Sequence, residues 1–490
     1  EVDMTIYEAI EGLCGYAMEN GLIEKEDYLY CRNQILELME ITSFEVSEVV
    51  SIDHFKCLSV LVEDVARRGI IESNKPPYSD LFESKLMNVF MPRPSQVIGR
   101  FKLEMERSPE DATAYFYDLS KKSHYIRLDR TSKNLLWQVD TEFGEIDITV
   151  NLSKPEKDPK AIAAALTKVE SNYPKCLLCK ENEGYSGHIN HPGRQNHRIV
   201  PLRLNKEQWY FQYSPYAYFN EHSILLKSEH ENMEITHQTF VRLMDFLDTF
   251  PHYFIGSNAD LPLVGGSLLT HDHYQAGRYE FAMERAEVLE SYEVDGVIIN
   301  HMKWPLTVLR LQNEYRSKLE KVACKVFDAW KNYSDDGYKI QAYTDERHNT
   351  VTPIARKKNG IYELDLVLRN NRCDNEYPTG IFHPHTDVHA VKKENIGLIE
   401  VMGLAVLPSR LVSEMNCIVN ALMNGDEFTG EIEKFLQLFK DISPKATSKE
   451  TLELVKNIIG KTFVKGLVDA GVFKLDDNGL FGLKRFIESL

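Results

Sequence analysis

Residues 265–277 read Gly265-Gly266-Ser267-Leu268-Leu269-Thr270-His271-Asp272-His273-Tyr274-Gln275-Ala276-Gly277. Taken as a strand from Leu269 to Gln275, the segment puts His271, His273 and Gln275 on one face and Asp272 and Tyr274 on the other. Two imidazoles and a carboxamide in one row suit phosphoryl chemistry. A neutral imidazole is nucleophilic near pH 7 and a phosphorylated one leaves readily, so one hard displacement becomes two easier ones. The amide donates hydrogen bonds to non-bridging oxygens. Upstream, Ser257-Asn258-Ala259-Asp260 and the Gly265-Gly266 pair offer the polar groups and close backbone approach that a loop around an anion needs. A lone His-x-His is more often a surface or hydrogen-bonded pair. The glycine loop and Gln275 in register turn the reading toward chemistry.

Working outward, residues 173–300 are short aromatic and β-branched runs separated by Gly, Asn and Pro, and ten of the sixteen histidines lie between positions 188 and 301. Core packing does not explain that clustering, because histidine is not a favoured core residue. Residues 5–90 read mostly helical, with Tyr28, Cys31, Ile35 and Leu38 on one stripe, and break at Met91-Pro92-Arg93-Pro94. Ser108-Pro109-Glu110-Asp111 is a helix start, 135–152 look like two short strands, and Asp158-Pro159 opens an alanine-rich helix to about Val169. Beyond the centre, Val308, Leu311, Tyr315, Leu319, Val322 and Val326 predict a long amphipathic helix. Ser334–Gly337 reads as a turn, Tyr362–Leu368 as a strand, and the chain from about 393 as helical.

The expected fold class is α+β. The expected regions are a mainly helical 1–165 with a short β segment, a catalytic first half 166–300, a second half 301–415 and a helical tail 416–490. No repeat at solenoid or propeller periods is visible.

The 490 residues carry 57 basic and 74 acidic side chains, net charge −17, which argues against nucleic-acid wrapping and still allows one basic pocket for a small phosphate-bearing substrate. No run approaches a membrane span; the most apolar, Ile396–Leu407, carries Glu400. Glu1-Val2-Asp3 lacks the basic start of a secretion signal, and eight cysteines are too few for a disulfide scaffold. A reduced, cytoplasmic protein is expected.

Cys176-Leu177-Leu178-Cys179 makes half of a tetrahedral zinc site, or a redox pair, or two small buried hydrophobes. Without a second CxxC, the missing ligands must be distant histidines, and His222 and His271 are the candidates. One zinc and no organic cofactor are expected. The segment 190–202 is dense in hydrogen-bonding groups. Functionally, Asn196 with Arg194 and Arg198 would hold ribose hydroxyls and phosphates; the bland alternative is a solvated turn. His383 and His385 can line the far side of a pocket, bind another metal or stabilise a fold corner.

These residues resemble the hexose-1-phosphate uridylyltransferases, in particular the class II galactose-1-phosphate branch found mainly in Gram-positive bacteria. The likeness runs through Met91–Ser95, Asn151–Pro159, Arg194–Pro201, Gly256–Pro262, His271–Gln275 and Glu394–Gly403. It implies a histidine-triad-like fold of antiparallel half-barrel sheets flanked by helices, usually a homodimer. It also implies ping-pong uridylyl transfer between UDP-glucose and galactose 1-phosphate through a covalent histidine. His273 would be the nucleophile and Gln275 its amide partner; Cys176, Cys179, His222 and His271 would bind zinc. Asn196 would contact the ribose, and Asn258 and Ser267 would contact phosphate or sugar. Where the better-studied branch has His-Pro-His-x-Gln, this chain has Asp272 for the proline, and Ser267 lies one residue further from His271. The competing readings are a histidine-dependent dinucleotide phosphorylase or hydrolase, and a non-catalytic sugar-nucleotide-binding protein with structural zinc.

Overall fold

The computed structural model describes residues 4–49, 52–152 and 171–490. The alanine-rich helix expected from Asp158 therefore lies outside the described residues. Helices Ile6–Glu19, Tyr28–Leu38, His54–Arg67 and Tyr78–Asn88 build the N-terminal part. Cys31 and Ile35 of the predicted stripe are buried there beside Leu13, Leu61, Val65 and Phe82, with Tyr28 and Leu38 packed at the margin. After the proline break come helices Pro94–Arg107 and Pro109–Lys122. Ser108 caps the second, its Oγ accepting the Asp111 N–H at 3.0 Å.

Strands β1 (Leu135–Thr141) and β2 (Gly144–Asn151) are the two predicted strands, and they pair as an antiparallel hairpin. The centre is a single sheet of ten strands: β3 (Val200–Leu204), β4 (Glu207–Tyr213), β5 (Ser223–Lys227), β6 (Phe254–Gly256), β7 (His273–Gly277), β8 (Val288–Val294), β9 (Val297–Met302), β10 (Val308–Asn313), β11 (Asn349–Lys358) and β12 (Ile361–Asn370). They lie in the order 3-4-5-7-6-11-12-10-9-8, every neighbour antiparallel. This order contains a repeat. β3 to β7 run 3-4-5-7-6 and β8 to β12 run 8-9-10-12-11, each half with one helix between its third and fourth strands, His237–Thr249 and Arg316–Lys331. The halves join where Gly256 of β6 faces Ile354 of β11. A topological duplication whose side chains have diverged leaves no periodic signal to read.

Strand alternation divides the sheet's two faces. Phe211, Tyr274, Leu309, Leu311, Leu364 and Leu366 enter one core with Phe240 and Leu243 of the first helix and Leu319, Val322 and Val326 of the second. On the opposite face, Phe254, Ile354 and Val367 join a second core with Trp304, Leu398, Leu404 and Phe463. A three-stranded sheet, β1-β2-β13, belongs to that second core, with β13 (Leu404–Pro408) parallel to β2.

The protein is α+β with antiparallel pairing through its main sheet. Three expectations need correction. The strand expected from Leu269 begins at His273. Val308 and Leu311 belong to β10 and not to the following helix, which starts at Arg316. The chain after 393 carries β13 between the short helix Leu398–Val401 and the helices that follow. β13 is a short continuous apolar run, which periodicity cannot separate from a helix, and in β10 Val308 and Leu311 stand three apart, a spacing that a helix shares.

Candidate active site

β7 carries the reactive pair. His273 lies opposite Leu226 of β5, and Gln275 lies between Ile224 of β5 and Gly256 of β6. Tyr274 enters the helical core, stacked on Trp209 at 4.7 Å, so His273 and Gln275 face the other way. His273 Nδ1 is 2.7 Å from the His271 carbonyl oxygen. A proton donated there leaves the lone pair on Nε2. Burial pushes His273 down to about 4, which keeps the ring neutral and nucleophilic at physiological pH.

Gln275 is oriented by a neighbour. His222 Nε2 donates to Gln275 Oε1 at 2.8 Å, so the carboxamide NH2 is the end left to donate to a ligand. Burial lowers His222 to about 4, and its Nδ1 has no partner among the described residues, consistent with a neutral ring protonated on Nε2. This corrects the expected metal role of His222. The chain reverses direction between β4 and β5, and that delivers His222 to the carboxamide and away from the cysteines.

The ligand group is Cys176, Cys179, His230 and His271, with all four ligand atoms within 4.8 Å of one another. Sγ of Cys176 lies 3.5 Å from Sγ of Cys179 and 3.3 Å from His271 Nδ1; Cys179 Sγ lies 3.2 Å from His230 Nδ1. A tetrahedral zinc with ordinary bond lengths needs roughly 3.8 Å between sulfurs and roughly 3.6 Å between sulfur and nitrogen, so the residues fit such an ion. His271 Nε2 is held by the Lys227 carbonyl at 2.8 Å, the outer hydrogen bond that fixes a ligating ring. Burial pushes the Cys176 thiol up to about 12, so a thiolate there calls for a cation. No spacing rule singles out His230. The departure at Asp272 explains how it is held: Asp272 N–H donates to the Glu231 carbonyl at 2.8 Å, and a proline has no such donor.

The other predicted residues separate into two groups. Arg194 and Asn196 line a cavity of ≈ 380 Å³ with Tyr125, Leu177, Asn190 and Tyr216. The Arg194 guanidinium lies over the Tyr125 ring at 5.5 Å, and Asn196 Nδ2 is tied to the Ser123 carbonyl at 2.9 Å. From this cavity an aromatic stack leads to the reactive row. Tyr216 stacks on Tyr218 at 5.7 Å, and Tyr218 on His222 at 5.6 Å. Asn258 is buried; its Oδ1 accepts the Leu398 N–H at 2.8 Å, and its Nδ2 lies so close to Gly266 that a Cβ there would meet it at 2.6 Å. His383 reaches the glycine loop through Asn395, whose Oδ1 is 3.3 Å from His383 Nε2 and whose Nδ2 is 3.4 Å from the Gly265 carbonyl.

Arg198, His385 and Ser267 stand apart from both groups. Arg198 spends its guanidinium on the carbonyls of Pro92, Gln195 and His197, closing the proline break onto the loop. His385 bonds the Ile381 carbonyl at 2.9 Å, stacks on Tyr377 and lines a separate cavity with Tyr338 and Lys474. Ser267 is exposed on the loop leading into β7.

Fold and site together define an α+β enzyme built around a buried, neutral, oriented histidine. Models of the galactose-1-phosphate uridyl transferase N-terminal and C-terminal domains match residues 21–232 and 245–429. Galactose-1-phosphate uridylyltransferase of Bacillus subtilis is 48% identical over 99% of this chain and 98% of its own length. That of Clostridium acetobutylicum is 48% identical over 99% of this chain and 100% of its own. A crystal structure of yeast Ap4A phosphorylase Apa2 overlays on 65% of this chain and 95% of its own at TM-score 0.37 and 11% identity. The chain belongs to the galactose-1-phosphate uridylyltransferase family.

Proposed function

We propose that the protein moves a uridylyl group between UDP-glucose and galactose 1-phosphate in two displacements at His273. Nε2 attacks the α-phosphorus of UDP-glucose. A P–N bond forms, the bond to the bridging oxygen breaks, and glucose 1-phosphate leaves with that electron pair. A phosphate oxygen of galactose 1-phosphate then attacks the same phosphorus, the P–N bond breaks, and UDP-galactose departs while Nε2 recovers its lone pair. The Gln275 NH2 donates to the non-bridging oxygens as charge grows on them. The observation that carries this reading is the His273 Nδ1 contact with the His271 carbonyl at 2.7 Å, which aims a neutral Nε2 away from the strand.

The cavity beside Tyr216 suits the nucleoside. It is of nucleotide size at ≈ 380 Å³, carries Tyr125 and Tyr216 for stacking and Arg194 for a phosphate, and joins Gln275 through the stacked rings. We assign the Cys176, Cys179, His230 and His271 group to one zinc, whose charge would anchor His271 two residues from the nucleophile. A homodimer and a cytoplasmic setting belong to the same reading; free thiols at all eight cysteines are compatible with the latter. Among the described residues, no helix is long and apolar enough to cross a membrane.

Mass measurement after exposure to UDP-glucose alone tests the reading. One added uridylyl mass and released glucose 1-phosphate are expected. Product formed only when both substrates are present, with no adduct, would overturn it.

A further inference from the structure

Three arginines of the second half project from the sheet face that also carries His273, and they differ in one respect. Arg310 pairs with Asp365 at 2.7 Å, and Arg356 pairs with Glu363 at 2.8 Å and Asp365 at 3.0 Å. Arg369 is only 1% exposed, yet among the described residues no carboxylate pairs with it. Its Nη1 donates to Thr352 Oγ1 at 3.2 Å and its Nη2 to the Ile396 carbonyl at 3.1 Å, while its Nε has no partner. The nearby Asp260 carboxylate is already taken by Arg347 at 2.9 Å and Thr350 at 2.6 Å. Burial alone draws Arg369 down to about 10, with no opposing charge to restore it. A buried, unpaired guanidinium is costly, and an apolar side chain would serve packing better.

Register locates this charge. Gly256 lies between Gln275 of β7 and Ile354 of β11, and the Ser257 N–H to Pro353 carbonyl bond at 3.0 Å carries the alignment onward. Two residues along, Asn258 comes level with His273 on one side and Thr352 on the other. The Arg369 guanidinium, on Thr352, thus lies about two strand spacings, or roughly 10 Å, from β7. The Arg194 cavity is lined by Asn196, ahead of β3, and Tyr216, after β4, strands on the side of β7 away from β11. A nucleoside diphosphate sugar with its base in that cavity and its α-phosphorus at His273 extends its sugar phosphate toward β11 and β12.

We propose that Arg369 is a fixed positive charge that selects and positions the phosphate of the hexose 1-phosphate, acting from beneath the Asn395–Leu398 segment. The proposal rests on the reading of His273 given above. At an effective dielectric of about 20, one charge about 10 Å away is worth roughly tenfold in affinity per unit of phosphate charge.

Binding of galactose 1-phosphate and of uridine 5′-monophosphate is measured by calorimetry on the full chain and on Arg369→Lys, Arg369→Gln and Arg369→Met, each checked for folding by near-UV circular dichroism. Arg369→Gln and Arg369→Met should weaken galactose 1-phosphate, whose phosphate lies on the Arg369 side, by well over tenfold and the nucleotide, whose phosphate lies at His273 about 10 Å away, by no more than about tenfold, while Arg369→Lys, which keeps the charge, stays within about threefold of the parent. Gln keeps hydrogen-bond donors without charge, so parental affinity in Arg369→Gln would overturn the proposal in favour of a structural latch. So would an equal loss for both ligands, or a Lys variant as weak as Gln. The uridylyl adduct is scored separately: its absence with the binding split intact would remove the covalent reaction and leave the anion site.

Discussion

The imidazole of His222, just ahead of β5, and the carboxamide of Gln275 on the neighbouring β7 meet at 2.8 Å, Nε2 to Oε1. This contact decides which end of the amide can reach a phosphoryl oxygen. It also removes His222 from the metal group that the family resemblance implied for it.

His222→Phe should therefore lower the rate of uridylyl-enzyme formation by about 10- to 100-fold, the range seen when an orienting neighbour is lost. Bound zinc should stay at the parental level. A fall in zinc on elemental analysis would return His222 to the metal.

The complementary change is His230→Ala. Protein purified without added metal should contain about one zinc per chain in the parent and close to none in this variant, with a lower thermal midpoint. Parental zinc in His230→Ala would refute the ligand set.

For His273→Ala the expectation is loss of turnover by about 10⁴-fold or more with the fold retained, because removing a nucleophile removes both displacements. Single-turnover mixing with UDP-glucose should release no burst of glucose 1-phosphate. A surviving burst would move the nucleophile elsewhere.

Acid sensitivity follows from buried histidines outside the metal group. Burial lowers His54, His222 and His301 to about 4 each, from an ordinary value near 6.5. A depressed value means the unfolded chain binds protons first. Stability is then intact above about pH 6.5 and falls as pH drops toward about 4, by at most roughly 1.4 kcal/mol per pH unit for each ring. Urea midpoints measured from pH 7.5 to pH 4.5 should decline over that window. In His301→Phe, the decline should be shallower.

Asp272→Pro tests the hydrogen bond at the head of β7. Without the donor to the Glu231 carbonyl, at 2.8 Å in the parent, one hydrogen bond is lost, at a cost of about 0.5–1.5 kcal/mol. Chemical denaturation should detect the loss, and zinc retention should weaken because Glu231 adjoins His230.

Much of the site was legible because local chemistry writes itself into short motifs. His273 and Gln275 are two residues apart on one strand, so alternation alone sets them on a common face. Cys176 and Cys179 announce a ligand pair by their spacing, and Ser108-Pro109 announces a helix start by its capping chemistry. His230 carried no such mark: 51 residues separate it from Cys179, and only the pairing of β5 with β7 brings it near. His222 was misread for the same reason, since candidates at long separation look alike until the sheet sorts them.

The amino-acid sequence by itself determined the α+β class, the family, the cysteine pair and the common strand face of His273 and Gln275. These depend on neighbours along the chain or on whole blocks of residues in order. Only the tertiary structure decided that His230 completes the ligand group, that His222 orients Gln275, that Arg198 and His385 serve the scaffold, that the central sheet is duplicated, and that Arg369 is left without a counter-charge. Each of those depends on which strands lie side by side. Register between distant strands is settled by the collective burial of both sheet faces, a property that no local window of sequence contains.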